Sequence, residues 1–384
     1  MRVDFKLRVL HRAVLSVALA MLAAGACAQT ELAATTSATP PAPAVIAVGN
    51  GPAGMAFGPD GKRLYVTSNS DNTVAVIDVA VGQRMRDLGE RPAKAVKDGC
   101  PDNFCRGMGA TGIAIAADER HAYVSSMRPD SLAKLDLDSG HVDGVAKVQR
   151  FPQAVAISPD GARAYVLNVV ANSVSVVDLA TFRSLGKPIA LSGGNAGNQP
   201  FGRPAALALS ADGRRLFVTN GVAGAIDAFD TQTRAQVGTI ADADAFDVAV
   251  EPGSGDLVAL FRDGIAAYDA NTLKPRQAAQ YCRALTSYQF AFSPDGRLIA
   301  FSLPQENTVL VADRATGMLR AAYRTGEWPL ALAFNPDGSR LAVLNASQAG
   351  SVSLFDVRDP GRLADYVSAS GELFCRPAAQ AAAQ

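Results

Sequence analysis

One short phrase recurs down this chain and restricts its fold more than any other feature. An apolar residue and a Ser or Gly lead into Pro-Asp-Gly, and an apolar-aromatic-Val run follows. It occurs as Phe57-Gly58-Pro59-Asp60-Gly61 with Leu64-Tyr65-Val66, and as Ile157-Ser158-Pro159-Asp160-Gly161 with Ala164-Tyr165-Val166. Further copies are Leu209-Ser210-Ala211-Asp212-Gly213, Phe292-Ser293-Pro294-Asp295-Gly296 and Phe334-Asn335-Pro336-Asp337-Gly338. Two worn copies complete the series, one at Ile115-Ala116-Ala117-Asp118-Glu119 and one at Val250-Glu251-Pro252-Gly253. The seven anchors lie at 60, 118, 160, 212, 253, 295 and 337, a base period near 42 with two insertions. A fixed period of this length marks a modular array.

Each unit reads as strands. Gly54 to Phe57 is an alternating apolar run, and Pro-Asp-Gly is a tight turn in which Pro presets φ and Gly supplies positive φ. Arg63 to Thr67 is a second strand, Ser68 to Asn72 an Asn-rich turn, Thr73 to Asp78 a third strand, and a weaker fourth follows. Helical periodicity is absent from the repeats. Four antiparallel strands in about 42 residues make a propeller blade. The expected fold is therefore all-β, a seven-bladed β-propeller. Ala44 to Val48 is expected to complete the seventh blade, closing the ring with strands from both termini, with Leu363 to Val367 as its competitor.

The stretch from Gly51 to Asn69, with Asn72 to Asp78, resembles the YVTN-type β-propeller repeat family of bacterial secreted proteins. The resemblance extends over nearly all of the chain after residue 44. It implies the fold; its relatives include lactonases, haem d1 domains, surface-layer proteins and periplasmic catabolic components, among which fold cannot choose.

Residues 1–28 read as a secretory signal. Arg2, Lys6, Arg8 and Arg12 precede an apolar core from Ala13 to Ala24, and Ala26-Cys27-Ala28 offers a cleavage site. Lipoprotein anchoring at Cys27 is disfavoured because the branched aliphatic residue usual three positions earlier is missing. Residues 29–43 read as a disordered Ala/Thr/Pro-rich leader, residues 44–375 as the propeller and 376–384 as a disordered tail. The expected location is periplasmic or secreted. Cleavage removes four basic residues and one acidic residue from a chain of net charge zero, leaving −3. With no basic stripe, nucleic acid is not an expected partner, and no apolar run suggests a membrane span.

Cys100, Cys105, Cys282 and Cys375 survive cleavage, an even count that in an exported chain reads as disulfides. Cys100 with Cys105 would pin the first insertion; Cys282 with Cys375 would tie down the tail.

Both long insertions, Gly89 to Ala110 and Ala190 to Arg203, fall between the fourth strand of one blade and the first of the next. One face is thus elaborated while the other keeps minimal turns, and such loops concentrate function. Aligning the repeats puts Trp328, Phe151, Arg203, Asp244 and Thr286 just before the first strands, with Gln153, Phe246 and Tyr288 two positions on. With Arg106, Arg128 and Arg283, the set suits an anionic or sugar-like ligand or a partner's loop. The competing reading packs these aromatics between blades. Asp242, Asp244 and Asp247 form an acidic turn; Asp244 and Asp247 are the candidate metal ligands, for a divalent cation such as calcium, against a simple solvated turn.

Catalytic groups are scarce. His121 and His141 are expected to be solvated on the plain face, and His11 leaves with the signal. That argues against a Ser-His-Asp triad, a His-ligated haem or a zinc hydrolase on the elaborated face. The expectation is a monomeric, non-catalytic, cofactor-free scaffold for an envelope protein or a small ligand. The alternatives are a metal-assisted lactonase-like hydrolase using Asp244, Asp247, Glu327 and Asn103, and an accessory to a periplasmic redox or catabolic system.

Overall fold

Each copy of the phrase builds a turn that satisfies itself. In the third blade Gly161 takes φ 69°, a left-handed conformation that glycine adopts without a Cβ clash. Ser158 Oγ donates to Asp160 Oδ1 at 2.5 Å and accepts from Arg163 N at 2.9 Å, while Ala162 N donates to the same carboxylate at 3.0 Å. Pro, Asp and Gly are therefore the residues the turn needs. In the second blade Glu119 takes φ 56° in place of the glycine.

The computed structural model describes residues 44–89, 109–193, 206–241, 245–262, 264–281, 287–347, 349–359 and 374–375. They form seven antiparallel sheets, with strands in chain order from inner to outer in all but the seventh, whose outer strand comes from the N-terminal end. The inner strands are Pro52–Phe57, Ala110–Ile115, Pro152–Ile157, Leu207–Leu209, Asp247–Val250, Phe290–Phe292 and Pro329–Phe334. Inner strands of neighbouring blades pack side by side. No helix among the described residues is long and apolar enough to cross a membrane.

The core is divided into seven clusters, each lying between two neighbouring blades. Leu64, Ile77 and Leu344 lie between blades 7 and 1; Val258, Ile265 and Phe301 lie between blades 5 and 6. Phe217, Leu257 and Ala259 join blades 4 and 5. Because each blade is covered on both faces, its middle strands read as near-continuous apolar runs, and Thr73–Asp78 is buried at five of six positions. Outer strands such as Gln236–Ile240 are largely exposed.

Ala44–Ala47 is the outer strand of the seventh blade, pairing Ala44 with Leu354 and Ala47 with Ser351. Ile46 and Val48 enter the cluster between blades 7 and 1. The competing segment Leu363 to Val367 lies outside the described residues. The C-terminus adds a fifth strand to blade 5, with Cys375 opposite Gln280 and Phe374 opposite Tyr281. Cys100, Cys105 and Cys282 lie outside the described residues, as do the signal, the leader and the tail.

Candidate functional site

The fourth-to-first connections share a face with the turns between second and third strands. Side chains from those turns cap the incoming connections. Asp130 Oδ1 accepts from Phe151 N at 2.9 Å, Asn307 Oδ1 from Trp328 N at 2.8 Å, Asn72 Oδ1 from Ala110 N at 3.1 Å and Asp71 Oδ2 from Asn50 N at 3.0 Å. The second long connection begins at Ser192, whose N–H and hydroxyl both donate to Asp227. Asp227 is buried, and Asn220, Gln236 and Thr239 also donate to it. Its lone pairs are consumed, so its role is to fix the base of that connection.

The residue before the inner-strand proline takes the left-handed conformation in three blades. Gly51 has φ 61°, Phe151 φ 64° and Trp328 φ 56°. For an aromatic residue this backbone is strained. Capping from Asn307 and a hydrogen bond from Ala346 N to the Trp328 carbonyl at 2.9 Å hold the conformation. The indole is left 49% exposed.

A β-bulge follows each of these prolines. The pairing skips Ala53, Gln153 and Leu330, and a bulge re-aims the side chain of the extra residue. Gln153 is exposed there, at the channel mouth. Arg128 lies in the second-to-third-strand turn of blade 2, on the same face. Tyr288 rests on Phe246, with ring centroids 5.2 Å apart, and Phe246 packs on the cluster between blades 5 and 6. These two aromatics serve the blade interface. Arg203, Arg106, Asp244 and Arg283 lie outside the described residues.

Asp247 opens the inner strand of blade 5 and is the one charged residue in the seven inner strands described. Its Oδ2 accepts from Phe290 N at 3.2 Å and its Oδ1 from Val248 N at 2.9 Å. The side chain keeps some accessible surface, but protein surrounds it closely. Desolvation pushes its carboxyl up to about 7, against the pull of these two hydrogen bonds. A carboxyl poised at neutral pH inside a channel marks a candidate site. Sequence inspection had put Asp247 in an exposed acidic turn; the fold sets it against the neighbouring blade's inner strand.

The plain face needs a correction. His121 is not simply solvated: its side chain is 18% exposed, and its Nδ1 lies 2.7 Å from Asp118 Oδ2. It belongs to the one group of three converging metal-ligating side chains found among the described residues, with Asp136 and Asp143. The signal was its position, since every other blade carries an arginine or an apolar residue where His121 starts a second strand.

A family model described as Lactonase, 7-bladed beta-propeller matches residues 28–178. The chain fits a lactonase-like propeller family. The match spans blades 1 and 2 and the first three strands of blade 3, less than half of the chain. Among solved structures, Kuenenia stuttgartiensis hydrazine synthase is similar at TM-score 0.65 and 17% identity, covering 85% of this chain and 99% of that one. At that identity the likeness concerns the fold. No curated protein matches the sequence.

Proposed function

We propose that this lactonase-like propeller is an exported binding module that seats an envelope protein or a small ligand at its channel mouth, on the face bearing the two long connections. The exposed Trp328, held in a strained left-handed backbone by Asn307, carries the reading. Strain of this kind persists where the surroundings enforce it, and exposed tryptophan is a favoured anchor of binding surfaces. Phe151, Gln153 and Arg128 share its face, and Arg203 and Arg106 belong by sequence to the two long insertions.

Photo-crosslinking in living cells tests the proposal. A photoreactive residue at position 153, the exposed bulge residue of the same face, should yield a discrete adduct, while the same probe at Lys62, in a Pro-Asp-Gly turn of the opposite face, should not. Substituting Trp328, Arg203 and Arg106 together should abolish the adduct without unfolding the ring. Equal labelling at both positions would overturn the assignment.

Asp247, with its carboxyl near 7, favours one second reading, a lactonase-like hydrolase in which this group is the general base. That reading predicts lactone hydrolysis rising through pH 7 and lost in Asp247→Asn. Turnover by the variant equal to that of the native chain would remove it.

A further inference from the structure

The seven blades share one acidic position, and blade 2 treats it differently. Each third strand ends on or beside an aspartate: Asp78, Asp136, Asp178, Asp230, Asp269, Asp313 and Asp356. One oxygen of each accepts a backbone N–H from the following turn, as from Val81, Ser139, Thr181, Thr233, Thr272, Thr316 and Arg358. The carboxylate then faces an arginine in six blades. Arg63 and Arg163 stand opposite Asp78 and Asp178 across the strand pair. Arg215 lies 3.2 Å from Asp230, Arg276 2.5 Å from Asp269, Arg320 3.0 Å from Asp313 and Arg358 2.6 Å from Asp356.

In blade 2 none of the three positions that elsewhere supply the cation holds one; the turn position of Arg358 is Asp138, and the two strand positions differ as well. His121 stands directly opposite Asp136, where blades 1, 3, 4 and 7 have arginine. Asp143 is the extra residue of the outer-strand bulge, the place held by Arg276 and Arg320 in blades 5 and 6. A guanidinium has thus been exchanged for an imidazole and another carboxylate. Among the described residues, no lysine or arginine is ion-paired with Asp118, Asp136 or Asp143. Arg86 of blade 1 donates to the Leu137 and Asp138 carbonyls.

The imidazole is oriented for coordination. Asp118 Oδ2 lies 2.7 Å from Nδ1, which leaves Nε2 on the side of Asp143, whose Oδ2 is 3.6 Å away. This is the carboxylate–imidazole pairing that orients metal-bound histidines. Ligand atoms of His121, Asp136 and Asp143 all lie within 4.8 Å of one another. The Ser139 N–H and hydroxyl both donate to Asp136 Oδ1 at 2.7 Å and hold that carboxylate in place.

We propose that blade 2 binds a divalent first-row transition-metal ion, with zinc as the best-matched probe, through His121 Nε2 and one oxygen each of Asp136 and Asp143. Asp118 positions the ring. One imidazole and two carboxylates make a borderline-to-hard ligand set that suits such ions. The site lies on the face opposite the channel mouth and does not depend on the binding role proposed above.

Calorimetric titration of Zn2+ into the chelator-treated, full-length protein tests it. We expect one ion per chain, with affinity falling at least tenfold in His121→Ala and in Asp143→Asn, and 10- to 100-fold in Asp118→Asn. Asp143→Arg restores the ion pair of blades 5 and 6; it should fold with undiminished thermal stability and lose the ion. Zinc bound at native affinity by a folded Asp143→Arg chain, or no zinc bound by the native chain, overturns the proposal.

Discussion

Asn307 Oδ1 accepts the backbone N–H of Trp328 at 2.8 Å, and with that contact the chain's only tryptophan stays in a left-handed conformation, φ 56°, with 49% of its surface exposed. Asn307 is itself left-handed at φ 49°. That conformation is one asparagine tolerates at the end of a turn, so an unstrained cap holds the strained tryptophan of the adjacent loop. The equivalent residue in blade 1 is Gly51, with almost the same φ, so the backbone path does not require an indole.

Trp328→Gly and Trp328→Ala separate the two roles of this residue. Both remove the exposed ring and should abolish crosslinking or binding at the channel mouth. Glycine fits φ 56° and alanine does not, so the glycine variant should be about 1 kcal/mol more stable than the alanine variant. Chemical denaturation of the pair measures the difference. Equal stabilities would show that the left-handed backbone relaxes once the ring is gone.

Asp247 should make stability fall as pH rises toward neutrality. Its folded-state value, about 7, lies above the ordinary 3.8, so the native state holds a proton that the unfolded chain has released. The contribution is complete below about pH 4 and is lost as pH rises through 7. Relative to Asp247→Asn, the native chain should lose about 2 kcal/mol between pH 4 and pH 8, once channel water is allowed to moderate the burial. Parallel denaturation curves across that range provide the check; parallel pH profiles for the two chains would place Asp247 in contact with bulk water.

Asp227 should behave oppositely to a surface acid. Asp227→Ala removes the acceptor for the Ser192, Asn220, Gln236 and Thr239 donors in a buried site. The expected cost is about 3 kcal/mol. Protease should also cut faster in the connection that begins at Ser192. Limited proteolysis followed by mass spectrometry reads both the site and the rate.

Ring closure depends on the strand Ala44–Ala47. Ile46 and Val48 are 7% and 0% exposed between blades 7 and 1. Ile46→Ala should cost about 2–4 kcal/mol. Deleting residues up to Val48 should expose the third strand of blade 7 as an unpaired edge and promote association. Light scattering and denaturation of the two variants test this.

Much of the architecture was legible before any coordinates. Pro159, Asp160 and Gly161 can be read as a turn because each residue has a local conformational reason to be there. The orphan apolar segment Ala44 to Val48 was one of two candidates to close the seventh blade, and its pairing with Ser351 to Leu354 decides between them. The sites were less legible, because their residues are ordinary in composition and unusual only in placement. Asp247 looked like one of three carboxylates on a polar turn; burial between blades raises its carboxyl, and its hydrogen-bond partner Phe290 lies 43 positions away. Tyr288 and Phe246 looked like candidate anchors, yet they spend their faces on each other. His121 looked solvated because it sits beside the turn into a second strand on the plain face, while the residues it meets, Asp136 and Asp143, arrive from two other strands.

Sequence alone determined the number of blades, their strand order and the face that carries the long connections, because turn chemistry and apolar alternation are local and repeat every blade. The tertiary structure decided which side chains meet. Burial against a neighbouring blade sets the protonation of Asp247, a cap from another loop holds Trp328 exposed, and cross-strand register replaces an arginine pair with the His121 cluster. Those effects depend on distances between residues far apart in the chain, and repeat spacing does not encode them.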